Sequence, residues 1–162
     1  MIETFRVGFP TNTVSEIRKN ISNDYIRGLV DGEGCFTFCI TGYSLPKKKI
    51  PAFVISMSQR DKNLIYMIKD KLGLRNKIYE FKGRVNGKYT SKPMITLIVR
   101  DFGQLKNIIV PFFYKKLAGN KGRQFNDWIE KIGTDPDVPE KYRFINKLCK
   151  IGYYDKNEKY PE

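Results

Sequence analysis

Alternation and helical spacing divide the chain into short, bounded segments. Residues 1–21 have no strong periodicity, contain Gly8-Phe9-Pro10 and read as an extended N-terminal arm. Ser22 is placed to cap a helix, because its hydroxyl can accept from an orphan amide of the first turn. Tyr25, Ile26, Leu29 and Val30 predict a helix from Asn23 to about Val30, ended by left-handed glycine at Gly32 and Gly34. Residues 35–41 then alternate strictly, with Phe36, Phe38 and Ile40 on one face and Cys35, Thr37, Cys39 and Thr41 on the other. A loop with Gly42, Ser44, Pro46 and three lysines leads to a second alternation. Here Phe53, Ile55 and Met57 form the core face, and Ala52, Val54, Ser56 and Ser58 face outward. The two strands predict an antiparallel ribbon with an open face that is small and polar.

The pattern then repeats. Asp61 is a good N-cap for a helix to about Leu72, with Leu64, Ile65, Ile68 and Leu72 on one stripe and Gly73 stopping it. A second hairpin follows from Lys77–Lys82, an Asn86-Gly87 turn and a strand over Met94–Val99. The facing of Tyr79 and Phe81 is left open, because Met94–Val99 is almost continuously apolar. Phe102–Val110 reads as a helix stopped by Pro111, Lys121–Ile132 as a helix burying Phe125, Trp128, Ile129 and Ile132, and Pro139–Ile151 as a last helix. The order α-β-β-α-β-β-α predicts an α+β fold: a four-stranded antiparallel sheet with helices on one face. One domain over 22–153 is expected, with a polar tail over 154–162.

Charge changes the picture from fold to partner. The 162 residues hold 30 Lys plus Arg against 17 Asp plus Glu, a net +13, which favours a polyanion and most often nucleic acid. The basic runs are Lys47-Lys48-Lys49, Lys82-Gly83-Arg84, Lys115-Lys116 and Lys121-Gly122-Arg123, each beside a predicted loop or turn. Histidine is absent, which excludes Ser-His-Asp and Cys-His nucleophile systems, HExxH proteases and His-metal nuclease centres. Cys35, Cys39 and Cys149 form no C-x-x-C pair, so neither a disulfide framework nor a closed zinc site is expected. With no apolar run of membrane-spanning length and no signal h-region, the expectation is a soluble, intracellular protein without a membrane partner.

The informative segment is Tyr25-Ile26-Arg27-Gly28-Leu29-Val30-Asp31-Gly32-Glu33-Gly34. Gly28 and Gly32 lie four apart on one helix face, where small residues allow close approach of a second backbone. Each glycine costs about 1 kcal/mol of helix stability relative to alanine, so two in one short helix call for a compensating reason. Glu33, just past the helix end, can converge with backbone carbonyls on a divalent cation, and carboxylate, carbonyl and water are the ligands magnesium prefers. From these ten residues alone, a glycine-capped helix with two solvated acids remains an equal reading.

IRGLVDGEG, residues 26–34, resembles the LAGLIDADG motif of homing endonucleases, and the following Cys35-Phe36 resembles the aromatic strand opening of that family. With the element order, the resemblance spans roughly residues 22–135. A single motif in a chain of this length is similar to the homodimeric branch; two-motif monomers are about twice as long. The resemblance implies that Gly28 and Gly32 pack the helix against its dimer mate, with Asp31 stabilising the helix end and interface. It implies Glu33 as the metal-binding acid, aided by the Gly32 carbonyl, and Gln59 as the residue ordering water near the scissile phosphate. Leu117–Phe125 is similar to the family segment that brings a lysine to the active site, here Lys121. Two departures stand out. Arg27 replaces a small alanine off the glycine face, and Asn63 falls where homodimers can carry an active-site arginine, a role then left unfilled or moved to Arg60 or Lys62.

The implied function is site-specific cleavage of both strands of a long pseudo-palindromic DNA target by an intron-encoded homodimer. The cofactor would be Mg²⁺, with Mn²⁺ substituting and Ca²⁺ supporting binding only. Cys35, Thr37, Cys39, Thr41, Val54, Ser56 and Ser58, joined by Tyr79 and Phe81, would face the major groove of double-stranded DNA, which admits a β-ribbon. Lys47, Lys48, Lys49, Lys82 and Arg84 would meet phosphates. The alternative is an intron-RNA maturase or DNA-binding regulator on the same fold without cleavage. The compartment, an organelle or microbial cytoplasm, is left open.

Overall fold

The computed structural model describes residues 21–42 and 46–161. The arm read over 1–21 lies outside them except for Ile21, which is buried in the core. Ser22 accepts from the Tyr25 amide at 3.0 Å and starts helix α1, Asn23–Glu33. The helix runs through Gly32, further than its apolar spacing predicts. Gly34 ends it in an extended conformation (φ −80°, ψ 163°), not a left-handed one, and strand β1 (Gly34–Thr41) begins at that residue. The requirement for glycine here is crowding: a Cβ would lie 2.5 Å from Val30 Cγ1 and 2.9 Å from the Val30 carbonyl oxygen.

β1 pairs with β2 (Lys48–Ser58) in the predicted ribbon, with Phe36 opposite Phe53. A 3₁₀ turn, Gln59–Asp61, leads to α2, Lys62–Leu72. Asp61 holds the N-cap position but makes no side-chain capping bond; Ser58 instead accepts from the Arg60 amide. Gly73 at φ +67° closes α2, with its own amide and that of Leu74 bonded back to Asp70 and Lys69. The second hairpin is β3 (Ile78–Phe81) with β6 (Met94–Val99), and its tip forms a two-stranded ribbon of its own, β4 (Val85–Asn86) and β5 (Tyr89–Thr90), around the Asn86-Gly87 turn. The sheet order is β1-β2-β6-β3, antiparallel throughout.

Helices cover one face. Phe36 is the centre of an aromatic cluster, its ring centroid 5.5 Å from Phe53, 5.6 Å from Phe113, 5.0 Å from Phe125 and 5.3 Å from Trp128. Helix α5, Asn120–Thr134, buries the predicted Phe125, Trp128, Ile129 and Ile132. Trp128 donates to the Thr37 carbonyl at 2.8 Å, satisfying an acceptor on the edge strand β1. Ala52, expected outward, keeps the outward parity of its strand but is fully covered.

Pro111 does not stop the helix before it. Helix α3 (Phe102–Gln104) opens into a π turn (Leu105–Ile109) and continues as α4 (Val110–Phe113) with Pro111 inside. A proline in a helix leaves a carbonyl one turn back without its amide partner. Here the Tyr154 hydroxyl donates to Lys106 O at 2.9 Å and Lys159 Nζ approaches Asn107 O at 3.4 Å. Both donors come from the segment read as a polar tail. After a 3₁₀ turn (Glu140–Tyr142) and α6 (Arg143–Lys150), that segment forms a short helix, α7 (Tyr153–Lys156). Tyr154 is buried and the Tyr160 ring packs 5.2 Å from Phe112. Among the described residues no helix is long and apolar enough to cross a membrane.

Tyr154→Phe should lower unfolding stability by about 1–2 kcal/mol in denaturant titrations, because it leaves the Lys106 carbonyl without a donor. An unchanged midpoint would mean that water serves that carbonyl equally well.

Candidate nucleic-acid interface and catalytic site

Strand parity sorts the expected contact residues. Ile55, Leu97 and Ile78 are consecutive partners across the sheet and are all buried under the helices. Their neighbours Ser56, Thr96 and Tyr79 therefore share the opposite face, as do Ser58, Met94 and Phe81. This places Tyr79 and Phe81 on the outward face with Cys35, Thr37, Cys39, Thr41 and Val54. Ser56 and Thr96 hydroxyls hydrogen-bond at 2.7 Å in the middle of it. A concavity of about 590 Å³ opens beside them, lined by Phe81, Lys82, Arg84, Lys92 and Met94. Lys92 belongs to this basic rim too, although in the sequence it stands alone, outside the basic runs.

Lys47, Lys48, Lys82 and Arg84 are exposed and form no ion pair among the described residues. Lys49 must be set apart from them. It has the parity of Phe53 and Ile55, its Nζ pairs with Asp135 Oδ2 at 2.8 Å, and its amide donates to the Asp137 carbonyl. The alternation of β2, continued backwards from Phe53, carries that signal.

Glu33, the last residue of α1, is exposed, and its carboxylate has no hydrogen bond or ion pair among the described residues. Gly28 and Gly32 are exposed too, and a Cβ on either would meet nothing within 4 Å. The face that the glycines flatten is thus uncovered. Asp31 turns the other way: its Oδ2 accepts from Ala118 N at 3.1 Å and its Oδ1 from Gly119 N at 3.2 Å. Gly119 is the N-cap residue of α5 and makes no side-chain cap, so Asp31 supplies an anion where that helix presents unsatisfied amides. This fastens the Glu33 end of α1 to the first turn of α5, which carries Lys121 in a half-buried position. A cleft of about 610 Å³ opens over the same loop, lined by Lys115, Leu117, Gly119, Asn120 and Arg123.

Gln59 follows the last residue of β2, and its buried Oε1 has no partner. The Lys62 ammonium, 2.7 Å away, holds the Glu80 carboxyl below the usual carboxylate range, with the Gln59 amide contributing in the same sense. Asn63 is exposed on α2, one residue beyond Lys62, which is committed to Glu80. Among the described residues no three His, Cys, Asp or Glu side chains gather as a metal site. One chain therefore offers Glu33 and nearby carbonyls, a set that fits a cation only if phosphate, water and a further carboxylate complete the shell, as magnesium sites commonly do.

The chain thus combines an antiparallel sheet whose open face is rimmed by unpaired cations with an exposed acid, Glu33, that has no partner among the described residues. Residues 26–132 match the sequence profile of the LAGLIDADG endonucleases, and the chain belongs to that family. No curated protein sequence matches it. Among solved structures it is similar to the I-LtrWI homing endonuclease bound to target DNA (26% identity, TM-score 0.55, 88% of this chain and 44% of that one). It is also similar to the meganuclease I-CpaMI bound to uncleaved DNA (21%, 0.57, 83% and 42%). A third is I-SmaMI bound to uncleaved DNA in the presence of calcium ions (23%, 0.50, 78% and 44%). The chain spans somewhat less than half the length of each of these structures.

Asp135, Asp155 and Glu80 are all held below the ordinary carboxylate range by bonds to Lys49, Lys115 and Lys62. Their contribution to stability is complete above the unfolded-state values of about 4 and is lost as pH falls through the lower folded values. With no histidine to titrate, thermal melts should be flat between about pH 5.5 and 7.5 and should fall below about pH 4.

Proposed function

We propose that the protein is a homodimeric, site-specific DNA endonuclease that uses a divalent cation. The observation carrying this is the uncovered Gly28/Gly32 face of α1, ending in a Glu33 carboxylate that has no partner of its own. A second copy packed on that face would set two Glu33 side chains near one axis. It would complete a cation shell that one chain leaves unfinished, and would give a target with approximate two-fold symmetry. The half-length match to DNA-bound relatives supports a pair of chains doing what one longer chain does there.

Each subunit lays its open sheet face along the major groove, with Ser56, Ser58, Tyr79, Phe81 and the Cys35–Thr41 outward set toward base edges. Lys47, Lys48, Lys82, Arg84 and Lys92 neutralise phosphates, which makes affinity steeply salt-dependent. Glu33, with the Gly32 carbonyl, holds the cation. Mg²⁺, when bound, supplies Lewis-acid activation of water and stabilises the leaving oxygen. Gln59 offers its unpartnered Oε1 to order water, and Lys121 offsets charge building on the phosphoryl group. Asp31 serves both subunits indirectly, by holding its own α5 in place.

The test is Glu33→Gln on DNA containing the joined flanking sequence of the gene, with Mg²⁺ for cleavage and Ca²⁺ for binding. The variant should fold and bind within about threefold of wild type while cleavage drops by at least about 10³-fold, the scale of losing an electrostatic contact at the transition state. Cleavage at the wild-type rate would remove Glu33 from the mechanism. A wild-type protein that is monomeric on its DNA, or that binds structured intron RNA and cuts no DNA, would overturn the reading. In the intact protein, log affinity should fall linearly with log salt; Lys82→Ala, which removes one contact from each subunit of the dimer, should make that slope shallower by about two, whereas Lys49→Ala should leave it unchanged.

A further inference from the structure

Arg27 is one turn before Asp31 on α1, and it is 97% covered, at 3% relative exposure. Its Nε donates to Phe112 O at 3.0 Å, its Nη2 to Tyr160 O at 2.6 Å and its Nη1 to Asp24 Oδ1 at 3.1 Å. The guanidinium lies 4.6 Å from the centroid of the Phe112 ring. Its anionic partner Asp24 is 75% exposed, so the buried charge is stabilised chiefly by carbonyl dipoles and an aromatic face.

The partners have a pattern. Phe112 is in the last turn of α4, where unpaired carbonyls concentrate partial negative charge; Ala118 and Gly119 lead into α5, where amides concentrate positive charge. Arg27 meets the first and Asp31 the second. One face of α1 thus presents a cation and an anion, four residues apart, to the two helix ends that bracket the loop 114–119 and precede Lys121. That loop contains Lys115 at φ +57°, the only non-glycine residue with positive φ among those described. A path through such a conformation persists when its ends are fixed. The far side of Arg27 is closed by the C-terminal segment, itself held by Lys115–Asp155 and Lys116–Glu158 ion pairs of 2.8 and 2.7 Å.

We propose that Arg27 is a positioning residue: seated under the C-terminal segment, it fixes the α4 end of the loop whose α5 end Asp31 fixes, and so sets Lys121 relative to Glu33. The role of Lys121 rests on the function proposed above; the clamp on the loop does not. A lysine at 27 keeps the charge but cannot reach three acceptors in a plane.

The experiment uses the full chain with Arg27→Lys and, as a milder surface lesion, Tyr160→Ala, which removes the ring packed on Phe112. Amide hydrogen exchange is read first, without DNA. Residues 114–120 should exchange at least about tenfold faster in Arg27→Lys, and severalfold faster in Tyr160→Ala, while the sheet amides keep wild-type protection. Unchanged loop exchange in both variants overturns the proposal, whatever the enzyme does. If Arg27→Lys does not fold, Tyr160→Ala alone decides. Single-turnover cleavage is read second: the rate should fall about tenfold or more with Ca²⁺-supported DNA affinity unchanged. In a Lys121→Met background, Arg27→Lys should add little further loss, because residues acting through one another are not additive. Full additivity overturns the positioning role. If wild type cuts no DNA, or Lys121→Met cuts as wild type does, the functional reading fails while the exchange result still judges the clamp.

Discussion

The structure turns on the absence of a loop between α1 and β1. Gly34 is the cap of the helix and the first residue of the strand at once, and a side chain there would enter Val30. Two residues later Phe36 is locked among Phe53, Phe113, Phe125 and Trp128, so neither helix nor strand can rotate about the junction. Glu33 is thereby held by backbone geometry rather than by hydrogen bonds to its carboxylate, which leaves the acid free for another ligand. The same junction joins two uncovered surfaces, the glycine face of α1 and the open face of the sheet.

On the helical side some lysines are matched to acids, as in Lys49–Asp135, Lys115–Asp155 and Lys116–Glu158, while others such as Lys69, Lys71 and Lys147 form no ion pair among the described residues. Around the hairpins Lys47, Lys48, Lys82, Arg84 and Lys92 have no such partners among the described residues. Exposed ion pairs add little to stability. Their local effect is to offset part of the positive charge on the helical side, whereas the cations named around the hairpins are offset by no acid among the described residues.

The C-terminal segment shows how a local irregularity is met by distant chain. Pro111 and the π turn before it leave carbonyls that helix hydrogen bonds do not reach, and Tyr154 and Lys159 supply donors. Tyr160 then reaches Phe112 and the guanidinium of Arg27. Motif helix, π turn and terminal segment consequently form one packed unit beside the loop 114–119.

Local patterning alone is enough to place the hairpins, the helix stripes, the α+β order and the motif with its glycines and Glu33. Periods of two and 3.6 residues are properties of local backbone geometry. It also held the parity that separates Lys49 from Lys48, once Phe53 and Ile55 mark the core face. The tertiary structure alone decided the facing of Tyr79 and Phe81, since a continuously apolar β6 has no parity until Ile78 is seen opposite Leu97. Only the tertiary structure could show Asp31 capping α5 or Arg27 buried against carbonyls 85 and 133 residues away. A side-chain partner at that separation is chosen by how the helices pack, and no local pattern encodes it.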